Sequence, residues 1–424
     1  MSTAAAPYPE TVPAAPAAPV AADHGLRGAG RNALSSYAFR ALRAFSILLL
    51  TPYLFRGLGV AGFGTWSVVF TLATIYSLVE IGFSTGVTKL VAELHASGRR
   101  AELAATVGAG VALMAGLGVL ALALSGALAL LAPTFAAPAD EAGFALGMVV
   151  LGAAMIVRFP CVAYGATLLG RQRYDLFNLG ETVTVLLFAG GAVVAVETGG
   201  GVLGLSIAYA ASLLAGGAAF AVLLRRVDPD LPLRPRLADR ATRRRVGGLG
   251  SLTLLVDSMD FVAQRMDTVV IAAIRGATAA APYGAALRLI SGVQGLILPV
   301  MNLLLPMVSD LHARGARAEV ARRFVLATRF ALQLTLPLAA GLSLFAQDIA
   351  RAWLGPETPG DTAAIIGVLL AVQVAILPAV PAGKVLIAVG RMRAVSVLAI
   401  VEGVANLGLS VLLVTRYGAI GAAL

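Results

Sequence analysis

Apolar runs long enough to cross a bilayer recur along almost the whole chain, and no other property limits its fold as much. A spanning helix needs about 20 consecutive apolar residues. Such runs lie near 34–55, 66–88, 104–132, 143–168, 177–197, 201–224, 247–274, 283–308, 326–347, 363–388 and 394–415, and a twelfth starts at Gly418. Short polar breaks separate them. Hydrocarbon offers backbone amides no partner, so runs of this length are read as helices. The chain is 59% hydrophobic and only 13% charged, against about 25% charged in soluble domains. The expected fold class is an all-α polytopic membrane protein of about 11–12 transmembrane helices.

The net charge is +10, and the position of the basic residues carries more information than their sum. Assigning successive breaks alternately to two sides puts 21 arginines and lysines on one side and 4 on the other. Basic loops stay in the cytoplasm. This places the N-terminus and the arginine-rich 225–246 connection there. Because the arginine clusters flank spanning runs, they are read as topological signals and not as a nucleic-acid surface. Residues 1–33 open with a stretch rich in Ala and Pro that lacks the cationic start and apolar core of a cleaved signal. A disordered cytoplasmic tail is expected. Cys161 is the single cysteine, so no intramolecular disulfide can form.

An internal repeat divides the chain. Arg56-Gly57 recurs as Arg275-Gly276 at an offset of 219, and Gly170-Arg171-Gln172-Arg173 as Gly390-Arg391-Met392-Arg393 at 220. Glu181 and Glu402 follow at 221, and Gly201-Val-Leu-Gly204 matches Gly418-Ala-Ile-Gly421 at 217. The expected organisation is a six-helix lobe over 34–226, a basic linker over 227–246 and a second lobe over 247–424. Six helices return the chain to its starting side, so the repeat is parallel. The final helix, starting at Gly418, is expected to be incomplete at Leu424.

Charges within the spans are the functional signal, since each central one costs about 2.5–3.5 kcal/mol to insert. The stretch LLVDSMDFVAQRMDTVVIAAI, 254–274, carries four. At about 100° per residue, Thr253, Asp257, Asp260, Gln264 and Asp267 share one face roughly 80° wide, with Arg265 off it. The next helix carries Arg288, Ser291, Gly295 and Asn302 on one stripe. Two neighbouring polar stripes suggest a shared wet cavity. Snorkelling or static pairing competes with that reading. It suits Arg40, Arg43, Arg329, Lys384 and Glu181, near the basic side, better than it suits Arg158, Glu80, Asp257, Asp260, Asp267, Arg288 and Glu402, which lie deeper or on stripes.

The sequence also limits the chemistry. With Lys89 and Lys384 as the only lysines, no GxxxxGK[ST] phosphate loop exists. His24, His95 and His312 fall in the tail or in basic-side loops, so they assemble neither a metal site nor a nucleophilic triad on the opposite side. No cofactor, metal or catalytic site is expected, and the protein is read as a non-enzyme.

The run RMDTVVIAAIRGATAAAPYGAALRLISGVQGLILPVMNLLLPMVSDLHARG, 265–315, resembles the start of the second half of bacterial polysaccharide transporters. The matching positions are Asp267, Gly276, Tyr283-Gly284 and Pro306-Met307-Val308-Ser309. FRGLGVAGFGTWSVVFTLATIYSLVEIGFSTGVTKLVAE, 55–93, and LLGRQRYDLFN, 168–178, are similar to the same family's first turn with its second helix and to its loop between helices four and five. The resemblance implies the fold of the multidrug, oligosaccharidyl-lipid and polysaccharide exporter superfamily, with two six-helix lobes around a central cavity. It also implies alternating-access transport of a polyprenyl-diphosphate-linked oligosaccharide, used for O-antigen, capsule or exopolysaccharide.

A sheltered diphosphate needs cations. Arg158 and Arg288 are the first choices, and Arg40 and Arg43 the second. Glu80, Asp257, Asp260, Asp267 and Glu402 would hold these arginines between substrates or couple an ion gradient. Gln264, Ser291 and Asn302 would line the cavity. The expected partners are the lipid-linked substrate, the bilayer and other polysaccharide assembly proteins. Two alternatives stay open: an ion-coupled exporter of small organic cations, and a non-transporting scaffold of the assembly complex. The first favours an acidic cavity, which seven intramembrane cations against six acids do not supply.

Overall fold

The computed structural model describes residues 25–231, 234–235, 258–259 and 261–424. The tail before residue 25, most of the basic linker, and Asp257 and Asp260 lie outside the described residues. Among the described residues there is no strand. The first lobe runs α1 (Gly25–Ala96), α2 (Arg100–Ala129), α3 (Ala132–Phe135), α4 (Glu141–Gly170), α5 (Tyr174–Glu197) and α6 (Gly201–Val227). The second runs α7 (Asp267–Arg275), α8 (Ala277–Asn302), α9 (Leu304–Ala313), α10 (Arg317–Leu344), α11 (Ala346–Leu354), α12 (Thr362–Ile376), α13 (Val380–Ala388), α14 (Met392–Tyr417) and α15 (Ala419–Ala423).

The 72 residues of α1 form two arms that double back at Gly59, whose φ of 67° and ψ of 175° no helix adopts. Contacts fix the reversal. Asn32 on the first arm donates to the Gln172 carbonyl at 2.8 Å, and Thr88 on the second donates to the Ala166 carbonyl at 3.2 Å, both beside the α4–α5 turn. Between them, Tyr53 donates to Glu197 at 2.5 Å and Thr65 donates to Asp140 at 3.4 Å, at the opposite end. The loop expected over 56–64 is therefore a single glycine. Its counterpart is Gly276, with φ 86° and ψ 160°, between α7 and α8. Only a residue without Cβ takes these angles cheaply.

The described residues include eight helices long and apolar enough to span a membrane, or nine if the bent pair Ala277–Gly295 and Val300–Ala313 is one span. One of the eight, Leu34–Ala96, contains both arms of the α1 hairpin. Much of the expected run at 247–274 lies outside the described residues, which accounts for much of the remaining difference from the expected count.

The breaks sort to two ends as the basic pattern requires. Arg100 pairs with Asp228 at 2.6 Å, and Arg171 pairs with the other oxygen of Asp228. This ties the start of α2, the α4–α5 turn and the end of α6 together at the basic end. A second copy of the repeat lies in the same polar breaks: His95-Ala-Ser-Gly-Arg-Arg-Ala-Glu102 and His312-Ala-Arg-Gly-Ala-Arg-Ala-Glu319, 217 apart. Gly98 and Gly315 end their helices at φ 68° and 71°.

The lobes meet chiefly through α1 and α8, with smaller contacts from α1 to α7 and α11. Glycines permit the approach. A side chain at Gly64 would overlap the Ala277 carbonyl, and one at Gly284 would come within 2.7 Å of Ser67 Oγ. At the end away from the basic loops, Arg56 on α1 donates to the Ala352, Trp353 and Leu354 carbonyls of α11 at 3.3, 3.1 and 3.2 Å. The Trp353 indole donates to the Leu48 carbonyl at 2.9 Å.

Candidate functional site

Where α8 crosses α1, Arg288 lies with its guanidinium 4.6 Å from the centroid of Phe63 and 5.7 Å from that of Phe70. Two ring faces stabilise the cation without neutralising it. Its Nη1 is buried and has no hydrogen-bond partner. A buried donor left unmade costs about 1–3 kcal/mol, and more when charged. The charge of Arg265 acts on Arg288, and that of Arg43, from the first arm of α1, acts on Arg265. Among the described residues none of the three has a carboxylate within salt-bridge distance. Like charges gathered without a counter-ion repel, and an anion placed among them would relieve that repulsion.

Arg158 lies elsewhere, inside the first lobe. It is 3% exposed, with Nε 3.1 Å and Nη2 3.3 Å from the Glu80 oxygens, and Nη2 3.1 Å from Glu181 Oε1. Phe220 of α6 lies 5.3 Å from the guanidinium. The three charged residues join α1, α4 and α5, and two carboxylates share one cation. Tyr209 of α6 stands in the field of this triad and of Arg43. It also belongs to an aromatic cluster with Trp66, Phe70 and Phe188.

Asp267 is a buried acid of the second lobe. It accepts from the Tyr283 hydroxyl of α8 and the Ser410 hydroxyl of α14, each at 2.6 Å. Gln264 is exposed, so the two do not share a face. The cause is local. The helical turn before α7 breaks at Met266, and a wheel drawn through 253–267 crosses that break.

The other expected residues scatter. Arg40 and Arg43 are exposed on the first arm of α1, Glu402 is exposed on α14, and Asn302 is exposed at the end of α8. Ser291 donates back to the Leu287 carbonyl at 2.8 Å, which leaves its hydroxyl committed to its own helix. The structure thus places Arg265 in the field of Arg43, places Arg288 in the field of Arg265, and pairs Arg158 with Glu80 and Glu181. Gln294 and Gln373, bonded at 3.0 Å between α8 and α12, had not been singled out. Gln294 lies nearly two turns beyond Arg288 and was legible as an amide within an apolar run. No cluster of three or more potential metal ligands occurs among the described residues.

Residues 30–312, more than half of the chain, match the family described as polysaccharide biosynthesis protein. The chain belongs to that family. No curated protein matches this polysaccharide biosynthesis protein in sequence. Its fold is shared with solved transporters. An inward-facing multidrug resistance MATE family transporter of the MOP superfamily superposes with a TM-score of 0.79 at 17% identity, covering 91% of this chain and 89% of that one. An outward-facing one reaches 0.65 at 18% identity, covering 93% and 90%. The lipid II flippase MurJ, in an inward closed conformation, reaches 0.69 at 14% identity, covering 92% and 83%. The family member therefore has the two-lobed transporter fold, and its lobes superpose better on the inward-facing form.

Proposed function

We propose that this protein is a flippase carrying a polyprenyl-diphosphate-linked oligosaccharide across the bacterial inner membrane by alternating access, for O-antigen, capsule or exopolysaccharide assembly. The observation that carries the reading is the group Arg43, Arg265 and Arg288, which among the described residues have no carboxylate partner, near where the lobes meet. A diphosphate offers several charge-assisted hydrogen bonds to such a group. The MurJ relative is a flippase for a lipid, and the family is one of polysaccharide biosynthesis; both support a glycolipid substrate.

Relative to the sequence reading, Arg288 keeps its role and Arg265 joins it. Arg43 moves ahead of Arg40, and Arg158 is reassigned to holding Glu80 and Glu181. Two carboxylates share that one guanidinium. Asp267 is a buried acid in the second lobe. Asp257, Asp260 and Glu402 retain only their positions in the sequence pattern. The arginine-rich breaks support a cytoplasmic N-terminus. The proposed organisation is lobes over 34–226 and 247–424 joined by the linker 227–246, with residues 25–33 of the expected tail 1–33 taken up into α1.

An exporter of organic cations fits less well, because a cation would meet three arginines that have no carboxylate partner among the described residues. Neighbours on this fold include a transporter from Pyrococcus furiosus whose reversed binding-pocket polarity is described as suggesting a different function, and that supports reading substrate class from charge. The test is reconstitution in proteoliposomes with a fluorescent lipid-linked sugar. Wild-type protein and an Arg329→Gln control are expected to flip it, and the Arg43→Gln/Arg265→Gln/Arg288→Gln variant to lose flipping. A wild-type protein that inserts but flips nothing contradicts the reading and favours the scaffold.

A further inference from the structure

The two arginines matched by the repeat do the same job on different lobes, and the difference is informative. The last carbonyls of a helix lack partners within it and carry partial negative charge, so a guanidinium placed there caps the helix. Arg275 does this inside its own lobe, donating to the Val414 and Thr415 carbonyls at 3.2 and 2.5 Å at the end of α14. Moved back by the repeat offset of 219, that target is Ala195 and Val196 at the end of α5, where Gly57 already packs on Val196. Arg56 does not go there. It crosses to the second lobe and takes the last three carbonyls of α11.

The cross-lobe reach is therefore not inherited from the repeat. It depends on α11, nine residues long, where the first lobe has only the four-residue α3. From α11 the Trp353 indole reaches back to the Leu48 carbonyl on the first arm of α1. Arg56 and Trp353 thus bond in opposite directions across one boundary. Leu48 has an open backbone acceptor because the helical ladder is interrupted at Pro52, which has no N–H to offer the carbonyl four residues earlier. The bridge lies at the end away from the basic loops. No carboxylate is within salt-bridge distance of Arg56 among the described residues, so its hold on the second lobe is made of backbone hydrogen bonds that can be exchanged for water.

We propose that Arg56 and Trp353 form a latch that keeps the lobes closed at the end away from the basic loops, and that this end opens only when α11 is released. The proposal rests on the alternation of two lobes in the reading above and not on its substrate. Its test therefore contains no lipid-linked sugar, and a failed flipping assay leaves it standing.

The experiment is a spin-label distance measurement on the full chain in lipid nanodiscs. Labels go on the exposed positions Thr198, after α5, and Gln347, on α11, in a Cys161→Ala background. The Arg56→Gln variant is expected to raise the ratio of long to short distances by about tenfold or more, since losing one charge-assisted hydrogen bond already shifts a two-state ratio that far. Trp353→Phe keeps the ring but loses the donor, and is expected to raise the ratio severalfold. Arg275→Gln caps only its own lobe and is expected to leave the ratio unchanged. Should Arg56→Gln fail to fold, Trp353→Phe and Arg56→Lys give the same readout. Folded latch variants that keep the wild-type distances overturn the proposal, as does an Arg275→Gln shift as large as that of Arg56→Gln.

Discussion

Replacing Arg158 with methionine keeps much of its volume and leaves Glu80 and Glu181 facing each other without the cation between them. The guanidinium is 3% exposed and makes three carboxylate contacts at 3.1–3.3 Å. Removing one partner of a buried ion pair costs about 3–5 kcal/mol. The stranded carboxylates can take up protons, which favours the lower end, about 3 kcal/mol. Glu181→Gln is a milder change, because it removes one contact and leaves a neutral Glu80–Arg158 pair; about 1 kcal/mol is expected. At roughly 2–4 °C per kcal/mol, Arg158→Met should lower the unfolding midpoint in detergent by about 6 °C or more, and Glu181→Gln by about 2–4 °C. Adding Glu80→Gln and Glu181→Gln to Arg158→Met should recover part of the loss, since no unpaired charge then remains. Thermal unfolding followed by tryptophan fluorescence reads all three. An Arg158→Met protein as stable as wild type, or no recovery in the triple variant, would refute the triad as a buried charge network.

Two further outcomes follow from packing and hydrogen bonding. Tyr283→Phe and Ser410→Ala each remove one hydroxyl from Asp267, at an expected cost of about 1.5–3 kcal/mol by thermal unfolding. The double variant should lose less than the sum, because a carboxyl stripped of both donors protonates. Gly64→Ala places a methyl group against the Ala277 backbone and should destabilise by about 1–3 kcal/mol. Gly116→Ala, with open space around it, should be neutral or stabilising by up to about 1 kcal/mol.

Apolar spacing marked most of the spans well: α2, α4, α5 and α6 lie within a few residues of their expected runs, because hydrocarbon allows a long apolar segment few alternatives to a helix. In the first lobe the basic breaks meet at one end, as their alternation required. What lay beyond the sequence was tertiary. Arg158 and Glu80 are 78 positions apart, and Arg158 and Glu181 are 23 apart, so no helical wheel unites them. Asp267 is buried where Gln264 is exposed because the helix breaks at Met266, a residue with no breaking tendency of its own. Arg56 and Arg275 were recognisable as a repeated pair, yet their targets could be seen only once α11 and α14 were in place. Arg265 lay off the stripe by helical spacing alone, and its approach to Arg43 and Arg288 depends on the packing of two lobes.

The claim that the lobes meet around an anion site is tested most directly by binding, with flipping set aside. Geranyl diphosphate and tetraphenylphosphonium, an anion and a cation of comparable apolar reach, can be titrated against the purified protein by isothermal calorimetry. The account predicts that the diphosphate binds, that each of Arg43→Gln, Arg265→Gln and Arg288→Gln weakens it about tenfold, as loss of one charge-assisted hydrogen bond would, and that the cation does not bind. Tight binding of tetraphenylphosphonium, or diphosphate affinity indifferent to all three arginines, would contradict it.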